Sequence, residues 1–445
     1  MPALAVPTDI GATPNTVAYA SLRSRDSETI MRDKLTAMLA PLPMRHLAWL
    51  PTTNARETFF HVLDATIGDA ALRFADAHGT INVGRNESPS VVVRVHNPRV
   101  YERTLSFGNL GFGESYMDAD FEMARGGLEQ LLAILLRNRV DEKLRSHPRL
   151  AGAVAAIRLG NLVRGSVDNV RSHYDIGDDL FEAFLDPTLT YSCGYARSAD
   201  DPLAELQQNK LNRICEKLQL SRGDHLLDIG AGFGGLLIHA AKNFGVRGVG
   251  ITLSERHHAL AQARIEAEKL DGVISIRLQD HRFAWNAQFD KVVSVGMMEH
   301  LPRSQYATYV RHIARALKPG GRGLIHTIGC NNHTNRHDPF IQKYIFPGSG
   351  QPKLSEISGQ LESNGLAILD VENIVRHYAV TCRRWLERFN ENRSKLDPVR
   401  YDDRMQRMWE YYLCCGVAGG LASKAAVYQV LFTNDHAADR PLQRV

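Results

Sequence analysis

Hydrophobic and polar positions follow a short-period pattern in the first third of the chain. Between about residues 59 and 124, the segments ALRFADAHGTINVG, SVVVRVH and TLSFGNLGFG alternate apolar and polar residues between Gly, Asn and Pro breaks. Such alternation predicts short strands. The segment GLEQLLAILLRNRV then repeats its apolar residues at helical spacing. Together these patterns predict a small α+β domain over residues 1–139.

A different pattern begins near Leu220, where apolar runs alternate with helical stretches. The runs are HLLDIGAG, VRGVGITL, ISIRLQD, FDKVVSVGM and RGLIHTI, and they suit strands that are buried on both faces of a parallel sheet. Between them, SERHHALAQARIEAEKL suits a helix with Ser254 as its N-cap. The alternation predicts a doubly wound α/β domain over residues 172–445, with its ligand at the carboxyl ends of the strands.

A basic segment over residues 140–171 joins the two predicted domains and is expected to be helical. Its cations, which have few acids among them, are Lys143, Arg145, Arg149, Arg158, Arg164 and Arg171. They form either a solvated helix face or a surface that docks on anionic lipid, where each cation contributes about 1 kcal/mol. Nucleic acid is not an expected partner, because no recognised nucleic-acid motif accompanies these residues.

Composition narrows the class of protein without deciding its function. The chain has 445 residues, 44% of them hydrophobic, and a net charge of +4, so any attraction to anions must come from local clusters. The longest apolar run, residues 131–136, is far shorter than the roughly 20 residues that span a bilayer. The N-terminus lacks a signal-peptide pattern. Six cysteines without CxxC pairs predict neither disulfides nor a metal site. We therefore expect a soluble cytoplasmic protein.

The segment LLDIGAGFGG places Gly230, Gly232 and Gly234 between a strand and a helix. Glycines there let a ligand approach the backbone and a helix N-terminus, although GxGxxG is a weak signal by itself. Asp228 precedes the turn and the next strand ends in GITLS without a carboxylate, which disfavours NAD. The segment resembles the first motif of S-adenosylmethionine-dependent methyltransferases. That resemblance implies that Asp228 and the glycine turn hold the methionine part, and that Asp280 lies toward the adenine.

A more specific resemblance extends over residues 172–433. The blocks HYDIGDDLFEAFLDPTLTYSCGY, LNRICEKLQL, VSVGMMEHL, LIHTIG, FIQKYIFPG and MWEYYL are similar to those of the cyclopropane-fatty-acyl-phospholipid synthases and their mycolic-acid relatives. The segment GNLGFGESYMDADFE resembles the N-terminal lipid-handling domain of the longer members. The family transfers a methyl group from S-adenosylmethionine to a cis double bond of an acyl chain, usually in a membrane phospholipid. The resemblance therefore implies a homodimer that associates peripherally with the inner face of the membrane.

The resemblance also implies a set of site residues. In this family a bound bicarbonate takes a proton from a carbocation, which requires a dry pocket. The residues at the matching positions are Cys193, Glu299, His326, Ile328 through its backbone amide, and Tyr378. Those expected at the donor are Tyr191, Ser192, Asp228, Gly230, Gly232, Gly234, Thr252, Asp280 and His281. Cys193 is interpreted as a hydrogen-bond donor and not as a nucleophile, and the other cysteines as structural.

The chain departs from the family pattern at four positions. Ala231 and Phe233 replace a cysteine and a tryptophan of the glycine turn, His257 stands near an expected glutamine, and Ala196 replaces a tryptophan. These changes leave the product open between a cyclopropane and a methylene or methyl branch. Two other hypotheses remain, namely a small-molecule N-methyltransferase and a lipid carrier with an inactive methyltransferase domain.

Overall fold

The computed structural model describes residues 54–85, 88–146, 177–282, 288–331 and 337–437, together with a few isolated positions between 151 and 157. All of them belong to one compact unit over residues 53–445. The domain boundaries predicted within it, after residues 139 and 171, remain predictions.

The N-terminal part of this unit is a four-stranded sheet covered by helices. Its strand order is β2-β1-β3-β4, with β1 and β3 parallel and the other pairs antiparallel. Its elements are α1 (Ala55–Thr66), β1 (Ala71–Asp76), β2 (Gly79–Gly84), β3 (Val91–Val95), α2 (Arg99–Phe107), α3 (Asn109–Met117), β4 (Phe121–Arg125), α4 (Leu128–Arg137) and α5 (Val140–Ser146). The strands predicted from ALRFADAHGTINVG and SVVVRVH, and the helix from GLEQLLAILLRNRV, are confirmed.

The strand predicted for TLSFGNLGFG is wrong, because this segment forms the end of α2 and the beginning of α3. Gly108 joins the two helices with φ at 60°, a backbone conformation that favours glycine. Gly113 is needed for close packing, since a Cβ there would lie 2.5 Å from the Phe340 ring. Gly108 therefore serves a helix junction and Gly113 a helix contact. The spacing of these glycines resembles the breaks between strands, which explains the wrong prediction.

The C-terminal part is built on a seven-stranded sheet of order β10-β11-β9-β8-β5-β6-β7. Strands β5 to β9 are parallel, while β11 and β10 are antiparallel additions at one edge. The strands are β5 (His225–Ile229), β6 (Arg247–Thr252), β7 (Ile274–Leu278), β8 (Phe289–Val295), β9 (Leu317–Cys330), β10 (Ala367–Asn373) and β11 (Ala425–Thr433). The five parallel strands and the Ser254 cap, which accepts from the His257 amide, are confirmed.

Helices cover both faces of this sheet and supply one wall of the site. They are α6 (Asp178–Phe184), α7 (Leu203–Leu218), α8 (Gly235–Phe244), α9 (Glu255–Ala267), α10 (Tyr306–Ala316), α11 (Pro339–Tyr344), α12 (Leu354–Ser363), α13 (Val375–Asn392) and α14 (Asp403–Leu421). Short 3₁₀ turns lie at Met298–His300, Arg303–Gln305 and Arg393–Lys395. The doubly wound α/β class predicted from the sequence is confirmed.

Helix α14 joins the two sheets, because it packs against α13 on one side and against α3 and α4 on the other. The Arg407 guanidinium donates to the carbonyl oxygens of Tyr116 and Phe121, and the Tyr411 hydroxyl donates to Asn109 Oδ1 at 2.5 Å. The small sheet is therefore fixed to a helix whose inner face borders the site.

Most of the basic segment over residues 140–171 lies outside the described residues. Within it, α5 is helical as predicted, and Lys143 Nζ donates to the Thr66 carbonyl at 2.7 Å. Among the helices that the structure describes, none combines the length and the apolar character required to cross a membrane.

Candidate active site

The glycine turn after β5 has the backbone geometry that the motif predicts. Gly230, Gly232 and Gly234 all have positive φ, at 85°, 53° and 75°, where a Cβ is strained. A Cβ on Gly230 would also lie 3.1 Å from Met297. The turn therefore brings bare backbone to the carboxyl end of the sheet, immediately before α8 begins.

A cavity of about 510 Å³ opens at this turn. The predicted donor residues that line it are Tyr191, Ser192, Asp228, Gly230, Gly232, Thr252, Asp280 and His281. Gly234, which was also predicted, caps α8 behind the lining. The volume and the position at the strand ends suit a nucleoside-sized ligand.

At one end of the cavity lie two buried charges, Asp228 on β5 and Lys210 on α7. They are 2% and 1% exposed. Burial raises the pKa of Asp228 to about 7, against the opposing effect of Lys210. Burial lowers the pKa of Lys210 to about 8, although Asp186, Cys193 and Asp228 act in the other direction. Lys210 Nζ donates to Ser192 Oγ at 2.8 Å.

At the other end lie Asp280 and His281, just beyond β7. The Asp280 carboxylate accepts from the Arg282 amide at 2.8 Å and from its guanidinium at 2.7 and 3.0 Å. These hydrogen bonds hold the pKa of Asp280 below its usual value. The His281 ring is 5% exposed, and neither of its nitrogens has a hydrogen bond among the described residues. This end therefore offers an ionised carboxylate that Arg282 holds, and a buried ring whose Nδ1 lies 3.4 Å from Asp280 Oδ1.

Cys193 sits in the turn before α7 and is 1% exposed. The turn is tied to α13, since the Gly194 amide donates to Thr381 Oγ1 at 3.0 Å. Burial raises the pKa of the Cys193 thiol to about 12, so the group is a neutral S–H donor at physiological pH. Its neighbour Tyr191 shares a hydrogen bond with the Tyr412 hydroxyl at 2.6 Å.

Glu299 lies in the 3₁₀ turn after β8 and is 8% exposed. Its carboxylate accepts from Thr327 Oγ1 at 2.6 Å and from the Ile328 amide at 3.2 Å. The amide that the family resemblance assigns to an anion is therefore donated to Glu299 here. Both donors belong to β9, so this strand fixes the carboxylate.

His326, also on β9, is 1% exposed. Its Nδ1 lies 3.3 Å from Gln429 Nε2 on β11, directly across the antiparallel pair. With the amide nitrogen donating, Nδ1 is the acceptor and Nε2 carries the proton. Nε2 is buried and has no hydrogen-bond partner among the described residues. Burial lowers the pKa of His326 to about 3, so the ring is neutral and presents an unused N–H.

Tyr378 on α13 is 7% exposed. Burial holds the pKa of Tyr378 well above its ordinary value, and Cys382, Tyr191 and Cys193 reinforce that shift. The Tyr378 ring lies 6.5 Å from that of Trp385. Trp385, farther along α13, packs its ring 5.3 Å from Tyr191. This side of the site is therefore aromatic and dry.

Several positioning residues were missed by the sequence analysis, namely Lys210, Thr327 and Gln429. The sequence could have indicated Lys210, because this lysine interrupts the apolar i, i+4 stripe of α7 between Leu206 and Ile214. Thr327 and Gln429 left none, since their roles depend on strand pairing.

Two of the departures from the family pattern have visible contacts. The His257 ring lies 4.5 Å from that of Phe233 at the cavity wall. The Ala196 amide donates to His377 Nδ1 at 3.0 Å.

Comparison with known proteins agrees with this geometry. The family model of mycolic acid cyclopropane synthetase matches residues 163–430. The chain is 39% identical over 350 residues to the cyclopropane-fatty-acyl-phospholipid synthase of Escherichia coli K12, covering 78% of this chain and 89% of that protein. It is 33% identical over 387 residues to the tuberculostearic acid methyltransferase UfaA1 of Mycobacterium tuberculosis, covering 83% and 89%.

A solved structure of the mycolic acid cyclopropane synthase CmaA1, complexed with S-adenosylhomocysteine (SAH) and CTAB, matches with a TM-score of 0.55. It is 28% identical and covers 60% of this chain and 97% of that chain. The matched family model covers more than half of the chain, and the relatives are named for lipid substrates. The chain thus belongs to the mycolic acid cyclopropane synthetase family and is an S-adenosylmethionine-dependent lipid methyltransferase of the cyclopropane synthase type.

Proposed function

We propose that the enzyme adds a methylene bridge to the cis double bond of an unsaturated acyl chain in a membrane phospholipid. The observation that carries this proposal is the cluster of buried groups beside the donor cavity. It combines a neutral thiol, an unused imidazole N–H and a carboxylate at Cys193, His326 and Glu299. The Escherichia coli relative is named for this reaction.

The chemistry requires such surroundings. An alkene is a weak nucleophile, and no covalent intermediate assists it. The protein must therefore hold the double bond against the donor's methyl carbon. The new C–C bond leaves a cation on the acyl chain, and loss of a proton from the added methyl group closes the ring. Water would trap this cation, and the aromatic wall near Tyr378 and Tyr191 excludes it.

Bicarbonate fits the site in part. The buried Nε2–H of His326 and the Tyr378 hydroxyl supply donors, and Glu299 supplies an acceptor for a protonated oxygen. The Cys193 thiol donates to the Gly194 carbonyl at 3.2 Å and would have to turn from it to donate to the ion. The Ile328 amide already donates to the Glu299 carboxylate. It could donate to bicarbonate only if that hydrogen bond were given up. When bound there, bicarbonate supplies the base that removes the methyl proton.

A second candidate product is a methyl- or methylene-branched chain. It is favoured by the tuberculostearic acid methyltransferase relative, which is 33% identical over 83% of this chain. Both products need the same donor and the same first step. Loss of a proton from the added methyl group to the neighbouring cation closes the ring, whereas a 1,2-hydride shift before that loss leaves a methylene branch, and loss of a proton from a chain carbon leaves a methyl-branched alkene.

Proton NMR of extracted lipid distinguishes the two products. The enzyme is incubated with S-adenosylmethionine and vesicles of cis-monounsaturated phospholipid, with saturated phospholipid as the control. Cyclopropane protons resonate well upfield of chain methylenes, and their appearance would support ring formation. Signals of a branch would replace the first candidate by the second. Unchanged lipid, with SAH binding intact, would reject both for this substrate.

We also propose that the enzyme binds the membrane peripherally, through the basic segment over residues 140–171, and acts as a homodimer. The cations of that segment support the first part, and the usual state of the family supports the second.

A further inference from the structure

Lys210 lies in an unusual place for a lysine. It is 1% exposed, in the middle of the apolar face of α7, and its ammonium donates to Ser192 Oγ at 2.8 Å. A buried ammonium is costly unless a negative group compensates it. The carboxylates that act on it electrostatically are Asp186 and Asp228.

Asp186 is already engaged by its own loop. Its carboxylate accepts from the Thr188 amide at 2.9 Å, from the Thr188 hydroxyl and from the Thr190 amide at 3.1 Å. Asp228 differs, since the structure shows no hydrogen bond to its carboxylate from any described residue. Asp228 and Lys210 both line the donor cavity. The cavity therefore presents one carboxylate and one ammonium, both buried and acting on each other electrostatically.

This pair is complementary to an amino-acid zwitterion, which carries an ammonium and a carboxylate on the same carbon. A carboxylate such as Asp228 suits the ammonium, and an ammonium together with a hydroxyl suits the carboxylate. Binding would leave both buried charges of the protein neutralised, which removes the cost of holding them in a cavity.

We infer that Lys210, with the Ser192 hydroxyl that it orients, recognises the α-carboxylate of the methyl donor. The inference concerns the donor alone and holds whichever lipid product is formed. The simpler alternative is that Lys210 only compensates the charge of Asp228 and touches no ligand.

Three ligands separate these possibilities in calorimetric titrations. SAH carries both the ammonium and the carboxylate, decarboxylated SAH lacks the carboxylate, and 5′-methylthioadenosine lacks both; all three are uncharged at sulfur. We expect Lys210→Met to weaken SAH binding on the order of 10- to 100-fold, as for the loss of a charge-assisted hydrogen bond. Binding of 5′-methylthioadenosine should change by less than about 3-fold, a difference within the context dependence of a single contact. The decarboxylated ligand should weaken less than SAH does, through the higher pKa of Asp228 once Lys210 is gone.

Asp228→Asn is the matched variant, because it removes the opposite charge of the same pair. It should weaken both amine-containing ligands and spare 5′-methylthioadenosine. An equal loss of all three ligands in Lys210→Met would assign Lys210 to charge compensation and overturn the inference, as would unchanged SAH binding.

The wild-type chain provides a test that no folding defect can obscure. It should bind SAH on the order of 10-fold or more tightly than decarboxylated SAH, the ratio expected of a charged contact. Equal affinity for these two ligands would overturn the inference without any variant.

Discussion

We expect Glu299→Gln to lower turnover by about 10²-fold while the donor still binds normally. The change replaces one carboxylate oxygen by an amide nitrogen and nearly conserves shape. The remaining side-chain oxygen could still accept from the Ile328 amide, as Glu299 does at 3.2 Å. Thr327 Oγ1 also lies 3.3 Å from the Ile328 carbonyl, so its hydroxyl can donate there and accept from the new amide. The fold should therefore tolerate the variant.

The magnitude follows from the lost charge. Glu299 is 8% exposed, so water screens it weakly. A carboxylate roughly 6 Å from a developing cation, at an effective dielectric constant of about 20, contributes about 2.8 kcal/mol. Since about 1.4 kcal/mol is tenfold in rate, the loss is on the order of 10²-fold. Donor binding makes no use of this charge, because Glu299 does not line the donor cavity.

Transfer of radiolabelled methyl groups into extracted phospholipid measures turnover, and calorimetry with SAH measures donor binding. Glu362→Gln, an exposed position on α12, is the matched control and should behave as wild type. Turnover of Glu299→Gln within about 3-fold of wild type, far from the loss expected for an acid–base group, would remove the carboxylate from the mechanism. A parallel loss of SAH affinity would show that the variant damages the cavity instead.

Four further predictions address other parts of the molecule. Gln429→Leu should lower turnover about tenfold, the worth of one hydrogen bond, by releasing the His326 tautomer; ¹⁵N NMR of the ring would show whether the proton moves. SAH affinity should rise as pH increases from 5 to 7, because the pKa of Asp228 is raised to about 7 and only its ionised form attracts an ammonium, and it should fall above about pH 8, where Lys210, whose pKa burial lowers to about 8, loses the charge that attracts the carboxylate. 5′-Methylthioadenosine should show no such rise, and a flat SAH profile would contradict the assignment of Asp228. Gly113→Ala should destabilise the fold by about 1–3 kcal/mol in denaturant titrations, since its Cβ would overlap the Phe340 ring. Binding to vesicles should require anionic lipid and weaken with salt; salt-insensitive binding to neutral vesicles would reject a role for the basic segment.

The glycine turn and the cavity beside it could be predicted from sequence because their signal is local. A strand, three glycines and a helix follow one another within LLDIGAGFGG, and the backbone of the turn depends on these residues themselves. Asp228 and Asp280 were found for the same reason, since each lies at a strand end that the apolar pattern marks. The structure confirms these strand ends and places both residues at the cavity.

The contacts of Glu299 and His326 could not be predicted, because they join distant parts of the chain. Gln429 meets His326 only through the register of β9 and β11, and neither the length of a strand nor its composition specifies register with a distant partner. Thr327 holds Glu299 across 28 residues of sequence. The segment TLSFGNLGFG failed for the opposite reason. Its local pattern predicted a strand, but the segment forms two helices and Gly113 packs closely against Phe340.

Cys193 shows how burial settles a question that residue type leaves open. A cysteine beside a sulfonium donor risks methylation, and the reactive species is the thiolate. Lys210 favours the thiolate electrostatically, yet burial has the larger effect and raises the pKa of Cys193 to about 12. At physiological pH the side chain is therefore a protonated thiol, which donates a hydrogen bond and is a poor nucleophile. A more exposed cysteine next to the same lysine would ionise more readily and compete with the alkene for the methyl group. The sequence predicted a site role for Cys193, and the packing of its turn against α13 is what would make a cysteine compatible with the proposed chemistry.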